Sequence, residues 1–407
     1  MNCRHCEKQL NHVFLDLGFA PPSNNYLCRE ALSKEEITLP LKLYVCDGCW
    51  LVQTDDYSLA EDLFTNEYAY FSSTSKSWLE HSAKYAKDII RGLGLTSSSY
   101  VIEIASNDGY LLKNFIDSKI PCLGIEPTDS TAKVAEGIGI PVLREFFGEN
   151  VAKKLANKGS LADLICGNNV YAHVPDINDF TRGLKIILKP GGVINLEFPH
   201  LLRLIENNQF DTVYHEHFSY LSLTAVSSIF SSSGLKIFDV EELATHGGSL
   251  RIFGCHKDDP RLIEGNVDKI LQSEIDFGLK DINLYKSFQK KAEKVKDDLL
   301  FFLIEQKRLG KRVAAYGAAA KGNTLMNYAG IKSDLIEYVC DASTSKQNRY
   351  TPGSHLQIFS PSQLAQSKPD WVVIFPWNIA SEVIELQDLS DWGGRFVVAV
   401  PELRIVS

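Results

Sequence analysis

The sequence predicts an α/β protein in three parts: a small cysteine-bound module over residues 1–67, a central nucleotide-type α/β domain over 68–255, and a second α/β domain, entered through a linking helix, over 256–407. Three observations carry this reading. Two C-x-x-C pairs stand near the N-terminus; a strand, polar-turn, helix pattern at residues 101–112 precedes a second strand that ends in an acid; and a strand-then-helix pattern returns at residues 312–324. A chain of 407 residues also exceeds what one hydrophobic core usually holds.

Charge and composition narrow the class. The 42 Lys and Arg against 51 Asp and Glu leave a net charge of −9, with both signs interspersed and no basic stripe, which argues against nucleic acid or a membrane surface as the main partner. No apolar run reaches the roughly 18 residues of a membrane span, and Cys3-Arg4-His5-Cys6 occupies the place where a secretory signal would need an apolar core. A cytoplasmic protein is expected. Nine cysteines, four of them in tight pairs, fit metal binding in a reducing compartment better than a disulfide framework.

Along the chain, Cys3-Arg4-His5-Cys6 and Cys46-Asp47-Gly48-Cys49 come first, separated by 39 residues. The two-residue gap lets both thiolates of a pair reach one ion, and two pairs supply the closed tetrahedral S4 site of structural zinc, so Cys3, Cys6, Cys46 and Cys49 are the expected ligands. Four protein ligands leave no open position, so this metal should hold the fold and do no chemistry. His5 and His12 lie nearby but are not needed. Between the pairs, residues 14–18 and 39–45 read as short strands around a Pro21-Pro22-Ser23-Asn24 turn.

Residues 55–77 are rich in aromatic and hydroxyl side chains, and Tyr68 and Tyr70 can offer phenol groups to a buried polar ligand. A helix then runs to about Leu93, with Trp78, Ser82, Tyr85, Ile89 and Leu93 recurring at helical spacing. Val101, Ile102, Glu103 and Ile104 read as a buried strand, residues 105–109 as a turn, and Tyr110 onward as a helix. Glu126, 23 residues beyond Glu103, ends a second strand and is placed to accept hydrogen bonds from ribose hydroxyls, which points to an adenosine-type cofactor. Only Gly109 stands where a dinucleotide loop would have three glycines, so a diphosphate fits this loop poorly. Glu103, Asn107-Asp108-Gly109 and Glu126 together resemble the first two motifs of class I S-adenosylmethionine methyltransferases, whose ligand is a sulfonium with no phosphate.

A third strand is expected at 139–142, a fourth at 161–168 and a fifth at 193–198, the last preceded by a turn at 188–192. Strand ends on one edge of an open parallel sheet are where ligands collect, which puts Asn169 and His173 near the crevice of Asp108 and Glu126. Next stands Tyr214-His215-Glu216-His217-Phe218-Ser219-Tyr220. Its histidines are two apart, so a helical H-E-x-x-H zinc site is excluded, and no third ligand is evident for a strand-borne one. Acid/base work suits the cluster: a histidine can remove a proton near neutrality, an acid can orient it, and a tyrosine can hydrogen-bond a developing oxyanion.

These motifs, with the Tyr70-Phe71-Ser72-Ser73 stretch, Thr245-His246-Gly247-Gly248-Ser249-Leu250-Arg251 and Gly317-Ala318-Ala319-Ala320-Lys321-Gly322-Asn323-Thr324, follow the order seen in the sugar C-methyltransferases. The chain resembles that family over essentially its whole length. The resemblance implies a small N-terminal zinc-binding module, a central class I methyltransferase Rossmann-like domain and a second, C-terminal Rossmann-like domain. It implies methyl transfer from S-adenosylmethionine to C3 of a thymidine-diphosphate (dTDP) 4-keto-deoxysugar. Glu103, Ser106, Asn107, Asp108, Gly109, Glu126, Pro127 and Asn169 then fall to the cofactor. By the same resemblance the role of base falls on His217, supported by Tyr214, Glu216, His173 and either Tyr68 or Tyr70. The chemistry is coherent: a C4 ketone acidifies the C3 hydrogen, and the carbanion it stabilises attacks the sulfonium methyl without help from a metal.

In the last third, residues 284–309 carry the apolar spacing of a long amphipathic helix. Residues 312–316 form a strand, Lys321-Gly322-Asn323-Thr324 opens a helix, Asp341 ends the next strand, and further strands follow at 371–375 and 396–400. No complete P-loop is present. Lys321 and Asn323, with backbone amides, are expected to meet the substrate's diphosphate, and Lys346, Arg349 and Tyr350 to face its nucleotide. An O- or N-methyltransferase for another small metabolite, a non-catalytic zinc-containing interaction protein and a nicotinamide enzyme are the competing classes. The oligomeric state is open, a monomer included.

Overall fold

A computed structural model describes residues 1–55, 57 and 71–406. Tyr68 and Tyr70 lie outside the described residues. The chain divides into two compact units, each made of three stretches: Met1–Asn11, Cys46–Leu201 and Phe218–Lys280 in the first; His12–Val45, Leu202–His217 and Asp281–Ser407 in the second.

The first unit is built on a sheet of seven described strands, in the order Leu235–Leu243, Ser249–His256, Leu188–Pro199, Ala162–Asn168, Val101–Ile104, Cys122–Ile125 and Val142–Leu143. The last five named run parallel, and the first two form an antiparallel hairpin on one edge. Every residue of Val101–Ile104 is buried, as a central strand covered on both faces requires. Because successive strands lie on both sides of it, the sheet changes direction there, and a crevice opens at its carboxyl end. The helix Lys76–Leu93 starts on the Ser75 hydroxyl, which accepts from the Trp78 amide, and stops at Gly94 in the left-handed conformation. It buries Ser82, Tyr85, Ala86 and Ile89. The helix expected from Tyr110 begins at Leu112. The turn expected at 188–192 is instead a bulge inside a strand that already pairs at Leu188; Gly191, at φ 78°, absorbs the register shift.

The second unit carries a sheet of six described strands, in the order Ile358–Phe359, Val339–Cys340, Val313–Tyr316, Trp371–Ile374, Arg395–Val398 and Arg404–Val406, parallel except for the last. Here too the first strand in sequence is central, so its end at Gly317 is a second switch point. Gly317 has φ 92°, and a Cβ there would fall 2.3 Å from Pro376 Cδ, so only glycine lets the two strand ends approach. The helix Ile282–Arg308, capped by Asp281, supports an antiparallel hairpin of His12–Ala20 and Leu39–Val45, with Phe14 stacked 4.8 Å from Phe288. The two short strands expected between the cysteine pairs are therefore present, and they pack in the second unit while the cysteines belong to the first. No helix among the described residues is long and apolar enough to cross a membrane.

Candidate active site

The four paired cysteines converge. Their sulfurs all lie within 4.8 Å of one another, with Cys3–Cys49 and Cys6–Cys46 both at 3.5 Å. Four thiols this close cannot share ionised character without a cation: the Cys49 thiol's hydrogen bond holds Cys3 down at about 4, while burial pushes Cys46 up to about 11. The donor set therefore fits zinc. Amide donors aimed at sulfur complete it, Gln53 Nε2 to Cys3 at 3.2 Å and the Gly48 N–H to Cys46 at 3.3 Å. His5 is not a ligand; its ring nitrogens meet Asn178 Oδ1 at 2.9 Å and Ser228 Oγ at 3.0 Å. Arg4 reaches the carbonyls of Thr54 and Pro175. The cluster thus clasps the sheet domain of the first unit.

The expected cofactor residues meet at that unit's switch point. The Asn107 N–H donates to Glu126 Oε2 at 2.9 Å, and the Thr128 N–H and hydroxyl donate to Glu126 Oε1. Asn107 Oδ1 and Asp108 Oδ2 accept from the backbone of Ser72 and Ser73, both at 3.0 Å, which ties the start of the helix segment to the loop. Ala105, Asn107 and Gly109 all have positive φ, a turn tight enough to aim backbone groups into the crevice. Several buried polar atoms there have no protein partner: Ser106 Oγ, Asp108 Oδ1, Asn168 Oδ1 and Asn169 Oδ1. All are acceptors or acceptor-capable, so they fit a ligand bearing positive charge and hydroxyl donors. Burial, with the charges of Glu126 and Asp108, pushes the Glu103 carboxyl well above its usual range. Pro127 follows Glu126 and leads into the helix Asp129–Gly137. His173 closes a 3-10 turn, Tyr171–His173, that packs on the strand Ser219–Tyr220.

Sequence reasoning missed an aromatic and ionic wall beside this crevice. Trp78 packs against His81, Tyr110 and His246, and His246 Nε2 lies 3.0 Å from Asn169 Nδ2. Behind them the fully buried Glu197 accepts from Arg251, His81 and Thr245 at 2.6, 3.0 and 2.8 Å. The Thr245-to-Arg251 motif was its visible signal; Glu197 itself reads only as a strand residue.

In the second unit the described candidates also gather at a switch point. His217 is nearly buried, its Nδ1 is 3.2 Å from the Thr212 carbonyl, and its ring centroid is 4.0 Å from that of Tyr214. Both Glu216 oxygens accept from Asn24 Nδ2, at 2.8 and 2.9 Å. His215 turns elsewhere, toward the Leu39 carbonyl, and burial lowers its pKa. Lys321 donates to Asn378 Oδ1 at 2.7 Å and sits 4.2 Å from the Trp377 ring centroid; burial lowers its pKa to about 8. Trp377 Nε1 in turn donates to buried Asp211, whose pKa burial raises to about 6. Asn323 Nδ2 donates to the Ser23 carbonyl, and its Oδ1 is buried without a partner. Lys346 donates to the Ala318 carbonyl, whereas Arg349 is exposed. Asn24 and Trp377 had no local signal, because each is joined to the site only by the fold.

The acidic crevice of the first unit suits a cationic adenosine ligand, and a methyltransferase domain model matches residues 78–240, so this unit carries the S-adenosylmethionine-dependent methyltransferase fold. A zinc binding domain model matches residues 3–64, and a C-methyltransferase C-terminal domain model matches 244–401. The C-methyltransferase NovU of Streptomyces niveus is 32% identical over 406 residues, covering 100% of this chain and 96% of that protein. The chain belongs to the S-adenosylmethionine-dependent C-methyltransferases. Similar solved structures include the PH0226 protein of Pyrococcus horikoshii, with TM-score 0.39, 13% identity and coverage of 46% of this chain and 95% of that one. An S-adenosylmethionine-dependent methyltransferase of Clostridium acetobutylicum has TM-score 0.35 and 12% identity, covering 43% and 91%.

Proposed function

We propose that this C-methyltransferase methylates C3 of a 4-keto-deoxyhexose carried on a nucleoside diphosphate, thymidine diphosphate in our reading, through an enolate, for branched deoxysugar synthesis. The observation that carries the proposal is the tautomer of His217. A carbonyl can only accept, so the 3.2 Å contact with the Thr212 oxygen requires the hydrogen on Nδ1 and leaves the neutral ring's lone pair on Nε2. That is the form a general base needs near neutrality. Nε2 takes the C3 proton as charge moves onto the C4 oxygen, where Tyr214, His173 and either Tyr68 or Tyr70 act as donors; oxyanion donors in acyl-transfer enzymes contribute about 3 kcal/mol each. When bound, the donor would supply an electrophilic methyl whose bond to sulfur breaks with the electron pair left on a neutral thioether; the electron pair of the broken C3–H bond forms the new C3–carbon bond, and the proton remains on His217.

For the donor, Glu103, Asp108, Asn169 and Glu126 offer acceptors to its charged and hydroxyl groups, with Ser106, Asn107, Gly109 and Pro127 shaping the loop. For the sugar nucleotide we assign Lys321, Asn323 and Arg349. A phosphate beside Lys321 would restore the charge that burial makes costly. Four cysteines gathered as metal-ligating thiols suit a reducing compartment, which supports a cytoplasmic setting. We take the protein to act on a small molecule, without nucleic acid or membrane.

The test is mass spectrometry of a panel of nucleotide-linked 4-keto sugars incubated with protein and methyl donor, together with deuterium uptake at C3 in heavy water without the donor. His217→Gln should lower both turnover and exchange by at least about 100-fold, as loss of a positioned base does, while calorimetry still detects donor binding. A variant that exchanges C3 as fast as the parent would remove His217 from the mechanism. Methylation of an oxygen or nitrogen acceptor with no keto-sugar product would replace the substrate class.

A further inference from the structure

We propose that Asn24 is a positioning residue for methyl transfer, fixing the Glu216 carboxylate in its ionised form; the inference rests on the reading of Glu216 as an acid that supports the base His217. Asn24 Nδ2 lies 2.8 Å from one Glu216 oxygen and 2.9 Å from the other. The opposite amide orientation would set Oδ1 against a carboxylate, so the donor face is dictated by the pair itself. An amide NH2 can only donate here, which favours the ionised acid and makes the contact charge-assisted. Glu216 is 3% exposed and needs such compensation for lost water.

Asn24 is itself held in register. The carbonyl of the preceding Ser23 accepts from Asn323 Nδ2 at 2.6 Å, and the Ser23 hydroxyl is 3.3 Å from that of Thr324. The Thr324 hydroxyl donates to the Val213 carbonyl at 2.8 Å, one residue before Tyr214. Three segments far apart in sequence are thereby locked, and the side chain of Asn24 meets the carboxylate. Among the described residues, the titratable side chains around Glu216 include Tyr26, Asp341 and Lys346 on neighbouring loops, Lys321 on the helix Ala320–Ala329, and Asp211, Tyr214 and His217 on the loop of Glu216.

Asn24→Asp separates positioning from bulk structure. Two carboxylates at this distance share one proton at low pH, when the introduced acid can donate to Glu216 as the amide does; at higher pH they repel. With thymidine-diphosphate 4-keto-6-deoxyglucose as probe, turnover and C3 exchange at about pH 8 should fall roughly 10- to 100-fold, the range for losing a hydrogen bond to a charged group. The ratio of variant to parent should then rise as pH falls toward about 6, with donor affinity by calorimetry unchanged. A ratio that is flat with pH, or an Asn24→Ala variant that loses only thermal stability, overturns the proposal. Glu216→Gln keeps the two failures apart. If it leaves turnover and exchange intact, the role of Glu216 fails and Asn24 with it; if it lowers them while Asn24→Asp matches the parent at every pH, only Asn24 fails.

Discussion

Glu103 is fully buried, and burial together with the nearby acids Glu126 and Asp108 raises its pKa, against the lowering effect of a hydrogen bond with Tyr110. An acid whose folded-state pKa lies above the unfolded value contributes stability at low pH and loses it as pH rises through the folded value. Glu103→Gln should therefore raise the melting temperature of the ligand-free protein near neutrality, and melting curves from pH 5 to 8 check it. A cationic donor favours the ionised form and should expel the proton on binding. Its affinity should then climb by up to about tenfold per pH unit below the Glu103 pKa, and binding heats should depend on the ionisation enthalpy of the buffer. Heats independent of the buffer would show that Glu103 does not change state.

At the scale of elements, the cofactor loop concentrates unusual backbone: Ala105 at φ 56°, Asn107 at 49° and Gly109 at 81°. Ala105 stores strain at the site, about 1–2 kcal/mol for a left-handed alanine, whereas asparagine adopts that conformation readily. Gly109 is also where the loop meets Ile140, since a Cβ would fall 2.3 Å from Ile140 Cδ1. Gly109→Ala should cost roughly 1–3 kcal/mol by overpacking and weaken donor binding, both readable by thermal melts and calorimetry; parental affinity in that variant would mean the loop does not shape the pocket. This loop was legible in sequence, because a buried strand followed by small polar residues and a distant terminal acid is a local pattern. The long helix Ile282–Arg308 was legible through its apolar spacing. The bulge at Leu188 was not, since Pro190-Gly191-Gly192 reads as a turn whether or not neighbouring strands keep the chain in the sheet. Nor was Asn24, which meets a carboxylate 192 residues away and has the composition of any turn.

For the whole molecule, the sequence suggested consecutive blocks, with the cysteine module as one of them. Packing groups the thiols with the methyltransferase sheet, through Arg4, His5 and Asn178, and the intervening hairpin with the other unit. Periodicity and motif spacing could not reveal this, because they report local structure and not which distant core a strand joins. Zinc removal by a chelator, or Cys46→Ser, should therefore lower the melting temperature by several degrees and weaken donor binding, with one zinc per chain in the untreated protein by elemental analysis. An unchanged melt after complete metal loss would deny the ion a structural role. The chain passes from one unit to the other at 11/12, 45/46, 201/202, 217/218 and 280/281. During synthesis, the segment His12–Val45 must wait for residues beyond 281 to leave the ribosome before its own core can close. A hybrid gene spliced at residue 67 would give each parent's cores missing pieces, so grafting one unit between relatives requires exchanging all three of its stretches together.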